Sequence, residues 1–439
     1  MFDFSTLNVI KYNYLFINIR LALQMFLSEW KLFTADDKSF VNILHSLIVY
    51  GIITMKGVVI MLKYYEIENF KSFKERTMIS LEKTNYKVLS DTNVRDSLLK
   101  GILFVGANAS GKSNSILPIK LLLDILFSNN NISLGETKCL FSVNPKVSLR
   151  YCFEIDNSEI RYEIDIHSNK ESIDERLYLD DELILDRSSN YAKVTFTEKN
   201  EYSDIPDNSF FLRELYFNTK FRGMPVLQKW FEFLSNSVYF DLYEKKGFLY
   251  KDQDLGLLSY LDKHGTDEIN AFFKKYNFEQ QIEYDSEVHG KILQVQTNDK
   301  DKKAVFFKRR EINEPIPFDL ESLGNRNLLM LLPVFFNCIR NNGILILDEF
   351  SSGFHNELEE LLVKYFMTNS ERSQLLFVSH STNLLSNRIL RPDQLYSVDF
   401  NTTGSHINRF SNEQPREAQN LEKMYLSGVF KGVPIYEED

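Results

Sequence analysis

A glycine-rich segment of eight residues, GANASGKS at 106–113, constrains the fold of this chain more than any other feature. It follows an apolar run at 101–105 and precedes a stretch at 112–127 with the apolar spacing of a helix. A strand, a glycine-rich loop and a helix in this order form a P-loop, in which backbone N–H groups and the positive end of the helix bind phosphate. The sequence therefore predicts an α/β fold with a nucleotide site at the end of this strand.

The segment supplies most of the predicted nucleotide contacts. Two glycines allow the backbone to turn inward, so that successive N–H groups point at phosphate oxygens. Lys112 is expected to reach the β and γ phosphates, and the Ser113 hydroxyl is a ligand of the kind that Mg²⁺ prefers. The predicted binding residues here are Gly106, Asn108, Ser110, Gly111, Lys112, Ser113 and Asn114.

A second segment, GILILDE at 343–349, has the pattern of a buried strand that ends in two carboxylates. Asp348 would hold Mg²⁺ through water, and Glu349 would orient or deprotonate the water that attacks the γ phosphate. A solvated strand end explains an isolated acidic pair equally well. The other segments favour the catalytic interpretation.

A third segment places His380 two positions after the end of the apolar run 375–378. A second parallel strand would bring this histidine to the same phosphates, where we expect it to sense the γ phosphate. A lone histidine is more often structural, but its spacing from Asp348 favours the functional role. Together the three segments predict Mg²⁺-dependent ATP hydrolysis, with Lys112, Glu349 and His380 as its catalytic residues.

A serine and a glycine also open the helix-like run 328–339, within the segment ESLGNRN at 321–327. The chain here resembles the ABC and SMC-like ATPases, in which one subunit presents such a signature to the ATP of another. This resemblance implies an ATP-dependent homodimer or larger oligomer, with Ser322 and Gly324 completing the partner's site. An ordinary helix N-cap is the alternative for Ser322.

Three more segments narrow the resemblance: MLKYYEIENFKSF at 61–73, LRPDQLY at 390–396 and NLEKMYLSG at 420–428. They are similar to bacterial AAA-type ATPases of the group that includes the OLD, RloA and AbiLi proteins of phage defence. The resemblance implies that Lys71 belongs to the nucleotide site. It also implies a separately encoded effector, expected to be a nuclease, and leaves room for a phage-encoded trigger.

The chain departs from that group at two places. The usual Gly-Thr-x-Arg signature has Asn325 in place of the threonine, and Arg326 stands one position early. No suitable glutamine follows the P-loop helix, where residues 139–145 occupy the expected position of the Q-loop. His355, in the loop after the Glu349 strand, is expected either at the dimer interface or simply at the surface.

Charge bears on the alternative function, an SMC- or RecF-like DNA-repair ATPase that clamps nucleic acid. A net charge of -10 argues against sequence-independent DNA binding. A scaffold protein whose ATP site is purely structural is a further alternative. The best basic candidates are Lys302, Lys303 and 308–310, although nearby acids favour a solvated strand and turn. The three cysteines, Cys139, Cys152 and Cys338, do not have the spacing of metal ligands, and free thiols fit a reducing cytoplasm. We expect no association with a membrane.

The expected fold class is an ABC/SMC-like P-loop head with an antiparallel β subdomain and a compact, mostly helical insertion. We expect an N-terminal ATPase half at 61–205, with the P-loop and a β lobe, and a helical insertion at 206–280. A C-terminal half at 281–439 carries the signature, the acidic strand and His380. Residues 1–60 form an N-terminal extension outside this core, and we interpret Met61 as a start of synthesis.

Overall fold

The computed structural model describes residues 59–128, 133–244, 246–250, 256–290, 294–296, 302–312 and 314–433. All of them belong to the compact unit 58–439. The expected N-terminal extension therefore lies outside the described residues, apart from its last two positions. The sequence pattern at 290–296 also predicts a strand, of which residues 291–293 lie outside the described residues.

The described residues form both strands and helices. The strands are β1 Ile60–Glu68, β2 Thr77–Ser80, β3 Val94–Arg95, β4 Leu98–Leu99, β5 Gly101–Gly106, β6 Lys146–Ile155, β7 Ser158–His167, β8 Ser172–Leu179, β9 Glu182–Ser188, β10 Tyr191–Val194, β11 Glu201–Tyr202, β12 Val238–Asp241, β13 Lys246–Leu249, β14 Gln280–Asp285, β15 Glu287–His289, β16 Gln294–Gln296, β17 Ala304–Arg309, β18 Ile316–Pro317, β19 Ile344–Asp348, β20 Gln374–Val378, β21 Leu395–Asn401 and β22 Gly404–Arg409. The helices are α1 Ser90–Asn93, α2 Lys112–Phe127, α3 Phe211–Thr219, α4 Pro225–Ser235, α5 Leu257–His264, α6 Asp267–Lys275, α7 Leu323–Asn341, α8 Asn356–Asn369 and α9 Leu421–Leu426. Among these described helices, none is long and apolar enough to cross a bilayer.

A mostly parallel sheet carries the predicted nucleotide strands. Its order is β13-β12-β19-β20-β5-β21-β22, and the five inner strands run parallel. Strands β5, β19 and β20 are buried along their whole length, as a sheet covered on both faces requires. Because their carboxyl ends lie at one edge, the P-loop, Asp348 and His380 meet there, as predicted.

An antiparallel sheet of eight strands, β11-β10-β9-β8-β7-β6-β1-β2, confirms the expected β lobe. Strand β7 alternates buried and partly exposed residues, as a sheet with one face on the core does. Helix α2 packs against this sheet as well as the parallel one. Tyr65 and Tyr151 donate hydrogen bonds from the sheet to the carbonyls of Ser115 and Pro118 in α2, each under 3 Å.

Residues 206–280, the expected helical insertion, contribute strands as well as helices. This segment is mostly helical, with α3, α4, α5 and α6, but it also supplies β12 and β13 to the nucleotide sheet. Strand β12 pairs with β19 in parallel, and Asp241 is aligned with Asp348. The segment therefore combines helices with one side of the central sheet and builds part of the site.

Candidate nucleotide-binding site

A cavity of about 720 Å³ opens at the carboxyl edge of the parallel sheet. It brings together predicted residues from the P-loop, the acidic strand and the strand before His380. Its lining consists of Asn108, Ala109, Gly111, Lys112, Ser113, Asn114, Tyr243, Glu349 and His380. Gly106 and Ser110 lie in the same loop, and Asp348 lies behind Ser113. The folded chain thus brings together the separate segments that the sequence predicts to meet.

The P-loop backbone has the conformation that a phosphate cradle needs. Gly111 has a φ of 102°, and a β-carbon built on it would lie 2.2 Å from the Ser405 hydroxyl oxygen. Only glycine fits such a position. The buried Ser110 hydroxyl has no hydrogen-bond partner within the described part of the chain.

Lys112 lies buried at the N-terminus of α2. Its ammonium donates a 2.8 Å hydrogen bond to the carbonyl oxygen of Ala107 in the same loop. Burial lowers the pKa of Lys112, while the charges of Glu349 and Asp348 act in the opposite direction. The ammonium is therefore held within the loop that would surround the phosphates.

Ser113 and Asp348 form the pair predicted to hold the metal. The Ser113 hydroxyl donates a 3.0 Å hydrogen bond to Oδ1 of Asp348. A hydroxyl and a carboxylate oxygen side by side are hard ligands of the type that Mg²⁺ prefers, so this pair fits the ion. Burial is the main cause that raises the pKa of Asp348, to about 6 in all; the Asp241 charge acts in the same direction, and the Ser113 hydrogen bond acts against it.

Glu349 adopts a left-handed backbone conformation with a φ of 51°, uncommon for a non-glycine residue. Its N–H donates a 3.0 Å hydrogen bond to Oδ1 of Asp348, and the turn places its side chain in the cavity. Nε2 of His380 lies 4.0 Å from Oε2 of Glu349. Burial and the nearby Lys112 charge lower the pKa of His380, which favours the neutral imidazole at neutral pH.

One cavity residue was missed by the sequence analysis. Tyr243 follows β12, is 76% exposed and lines the cavity beside the P-loop. The N–H groups of Tyr243 and Glu244 donate to the Asp241 carboxylate, at 2.9 and 2.8 Å, which shapes the turn. A short apolar run ending in aspartate, 238–241, was the available signal, but adjacent helical patterns concealed it.

The structure places residues 139–145, the expected position of the Q-loop, outside the cavity lining. Cys139 instead donates its N–H to the Asn69 carbonyl oxygen, beside the turn after β1. The chain segment that enters the cavity next to Asp348 is the one after β12. The reason is topological, because β12 and not the 139–145 segment is the neighbour of β19.

Other predicted residues lie outside the cavity lining of this chain. Lys71 is half-buried and donates its N–H to the Thr137 carbonyl oxygen, whereas its neighbour Ser72 accepts a hydrogen bond from Asn114 in α2. Ser322 caps α7 with Gly324 in its first turn. The nucleotide contacts of all three residues stay predictions, and those of Ser322 and Gly324 require a second copy.

Two further predicted features have structural partners. His355 caps α8 by accepting the N–H of Glu357 at 3.4 Å. In the basic candidate region, Lys308 pairs with Glu283 at 2.7 Å, and Arg309 pairs with Glu321 at 3.1 Å. These ion pairs involve two of the five basic residues and favour the structural interpretation for them.

Comparison with known proteins identifies the family. The family model described as "AAA domain, putative AbiEii toxin, Type IV TA system" matches residues 102–386, more than half of the chain. The chain belongs to this family. The matched region of this AAA-domain protein spans the P-loop, the signature, the acidic strand and His380. A comparison with curated protein sequences finds no match.

Several solved structures are similar to the AAA-domain chain, each covering 79% of it. One is an SMC head domain from Thermotoga maritima, with 15% identity, a TM-score of 0.44 and 98% of that chain covered. Another is an Smc head bound to the C-terminal winged-helix domain of ScpA, with 14% identity, a TM-score of 0.48 and 97% covered. A third is a Pyrococcus furiosus Smc head with an extended coiled coil and bound ScpA domain, with 11% identity, a TM-score of 0.43 and 96% covered.

Proposed function

We propose that this AAA-domain protein hydrolyses ATP with Mg²⁺, and that two copies close on ATP to control a separately encoded effector in phage defence. The observation that carries the proposal is the cavity itself. Lys112, Glu349 and His380 reach it from segments that follow three separate strands, and the Ser113–Asp348 pair lies against it. These are the groups that phosphoryl transfer to water requires.

The residues divide the chemistry among themselves. Lys112 and the P-loop N–H groups bind the β and γ phosphates, while Ser113 and Asp348 hold Mg²⁺. The bound ion would neutralise charge on the phosphate oxygens. Glu349 orients the attacking water and accepts its proton, and a neutral His380 donates a hydrogen bond toward the γ phosphate.

Closure of two copies follows from where the signature lies. Ser322 and Gly324 are outside the cavity of their own chain, and the N-terminus of α7 offers N–H groups to an anion. In the proposed dimer these groups bind the γ phosphate held by the other copy. ATP then stabilises the closed state, and hydrolysis reopens it.

The defence role rests on two similarities. The family description includes an AbiEii toxin and a toxin–antitoxin system. The segments at 61–73, 390–396 and 420–428 resemble the RloA and AbiLi group. A cytoplasmic ATPase that governs a nuclease-like effector fits both, with a phage product as its trigger.

The test is purification of Glu349→Gln protein, expressed with its neighbouring genes, in ATP and Mg²⁺. The same chain carrying Lys112→Ala as well is the matched control that cannot hold ATP. We expect an ATP-dependent dimer with a stoichiometric nuclease-like protein, absent from the control. Molar mass by light scattering and identification of co-eluting proteins give the readout.

Two other outcomes would change the assignment. A dimer that carries only nucleic acid would support the SMC- or RecF-like clamp. Monomers with and without ATP would contradict closure and leave an ATPase of another kind. Measuring ATP hydrolysis by the wild-type chain then distinguishes an ATPase that does not dimerise from a protein whose ATP site is purely structural.

A further inference from the structure

The start of α7 is bound to the small sheet β14-β17-β18 through Glu321. This carboxylate is buried, and its Oε1 accepts the N–H of Ser322 at 2.7 Å. A guanidinium nitrogen of Arg309, in β17, lies 3.1 and 3.2 Å from the two Glu321 oxygens. The residue that precedes the signature serine is therefore fixed on one side by the small sheet.

A second contact joins the same two elements. Gln280, in β14, donates a 3.1 Å hydrogen bond from Nε2 to Oδ1 of Asn325, and its side chain is buried. Gln280 and Arg309 are directly opposite each other in the β14–β17 ladder. One cross-strand pair therefore contacts both Glu321 and Asn325, the residues on either side of Ser322 and Gly324.

The opposite face of the same helical turn contacts the loop that follows Glu349. A β-carbon built on Gly324 would lie 2.5 Å from the Gly353 carbonyl oxygen, and Asn327 donates a 3.0 Å hydrogen bond to the Ser352 carbonyl oxygen. The first turn of α7 is therefore held between the small sheet and this loop. Because side chains of the small sheet contact this turn directly, a shift of the small sheet would move the turn.

From this arrangement we infer that Arg309 and Gln280 are positioning residues, which orient Ser322 and Gly324 for the ATP held by a second copy. The inference rests on the proposed closure of two copies. Asn325, which stands in place of the usual signature threonine, accepts the hydrogen bond from Gln280 in this arrangement. Neither Arg309 nor Gln280 lines the chain's own cavity, so ATP binding by a single copy does not depend on them.

The neighbouring arginine provides a matched control. Arg310 donates a 3.3 Å hydrogen bond to Asn277, a residue outside the signature turn. Arg309→Gln removes the guanidinium from Glu321 but leaves the bond between Glu321 and the Ser322 N–H. Arg310→Gln removes the same charge one residue away, and Arg309→Lys restores a charge near Glu321.

The experiment compares Arg309→Gln, Gln280→Ala, Arg309→Lys and Arg310→Gln, each in the full-length Glu349→Gln chain. Binding of a fluorescent ATP analogue is measured at a protein concentration where the chain is monomeric, and ATP-dependent dimerisation by sedimentation. We expect Arg309→Gln and Gln280→Ala to weaken dimerisation by about tenfold. Analogue binding stays unchanged, Arg309→Lys recovers part of the loss, and Arg310→Gln behaves as the parent.

The possible results separate the two proposals. If the Glu349→Gln parent does not dimerise with ATP, the proposed closure fails, and the positioning role fails with it. If the parent dimerises and the Arg309 and Gln280 variants dimerise equally well, only the positioning role is overturned. Loss of analogue binding in these variants would also overturn it, because it would indicate general damage to the fold.

Discussion

The hydroxyl of Ser405 donates a 2.6 Å hydrogen bond to the backbone carbonyl oxygen of Ser110, which joins strand β22 to the P-loop. The same hydroxyl lies 2.7 Å from that of Ser72, in the turn after β1. Asn114, in the first turn of α2, donates a 2.9 Å hydrogen bond to Ser72. The two ends of the domain therefore meet on the outer side of the phosphate loop and hold its shape.

Replacement of Ser405 by alanine should weaken ATP binding without abolishing it. One neutral hydrogen bond to the loop is lost, which corresponds to about 1 kcal/mol or about fivefold in affinity. Thr402→Ala, in the exposed tip of the same hairpin, is the control. Calorimetric titration with ATP and Mg²⁺ gives the measurement, and equal affinities in the two variants would show that the loop holds its shape without Ser405.

Tyr243→Ala should also weaken ATP binding, through loss of one wall of the cavity. The exposed ring has few partners in the folded chain, so its removal should leave the thermal midpoint unchanged. We expect a loss of about 1 kcal/mol in ATP binding, while Tyr243→Phe retains the ring and the affinity. Tyr191→Ala, on the β lobe away from the site, controls for loss of a surface tyrosine. An unchanged affinity in Tyr243→Ala would remove this residue from the site.

Local sequence signals predicted some parts of this structure well. Helix α2 occupies 112–127 as expected, because a glycine turn starts it and an apolar period continues through it. Strands β5, β19 and β20 are mostly apolar, and each leads into residues predicted to form the site. The motifs and the strand ends are adjacent in sequence, so the clustering of Lys112, Glu349 and His380 could be derived from them.

Other features depend on contacts between distant segments and have no local signature. Strand β12 is four residues long and lies between helical patterns. Its place in the sheet is set by pairing with β19, a strand about a hundred residues further along the chain. The Ser72–Ser405 contact joins two small polar residues at opposite ends of the domain. The Gln280–Arg309 pair likewise depends on strand register. Such contacts cannot be inferred from periodicity or composition.

Gln374 joins the two large sheets, so we expect Gln374→Leu to be strongly destabilising. This side chain is fully buried at the start of β20; Oε1 accepts the N–H of Leu62 at 2.6 Å, and Nε2 donates to the Leu62 and Leu99 carbonyls at 2.9 and 3.1 Å. Leucine has a similar size but leaves these backbone groups unpaired, at a cost of about 3 kcal/mol.

Urea unfolding of Gln374→Leu and Gln228→Leu measures this effect. Gln228 lies on the exposed face of α4, where its side chain donates to the Lys220 carbonyl oxygen. We expect its replacement to change the free energy of unfolding by less than about 0.5 kcal/mol. Equal midpoints for the two variants would show that the two sheets do not depend on the Gln374 amide.

Arg391 and Asp393 form a buried ion pair whose contribution to stability should be lost in acid. Nε and one terminal nitrogen of Arg391 each donate a 2.8 Å hydrogen bond to a different Asp393 oxygen. Thr84 donates to the same carboxylate from its N–H and its hydroxyl, at 2.7 and 2.8 Å. Burial raises the pKa of Asp393, but the hydrogen bonds and charge of Arg391, together with Thr84, outweigh it and hold the pKa below its usual value.

A carboxyl whose pKa is lower in the folded state stabilises the fold above its unfolded pKa, near 4, and loses this contribution as pH falls through the folded value. Asp393→Asn leaves the Arg391 charge buried without its partner, which should cost about 3–5 kcal/mol at neutral pH. The difference in unfolding free energy between wild type and Asp393→Asn should therefore be constant above about pH 5 and shrink below about pH 4. Denaturation at a series of pH values measures it, with the exposed Asp204→Asn as control. A difference that stays constant or grows in acid would show that Asp393 is not an ionised partner of Arg391.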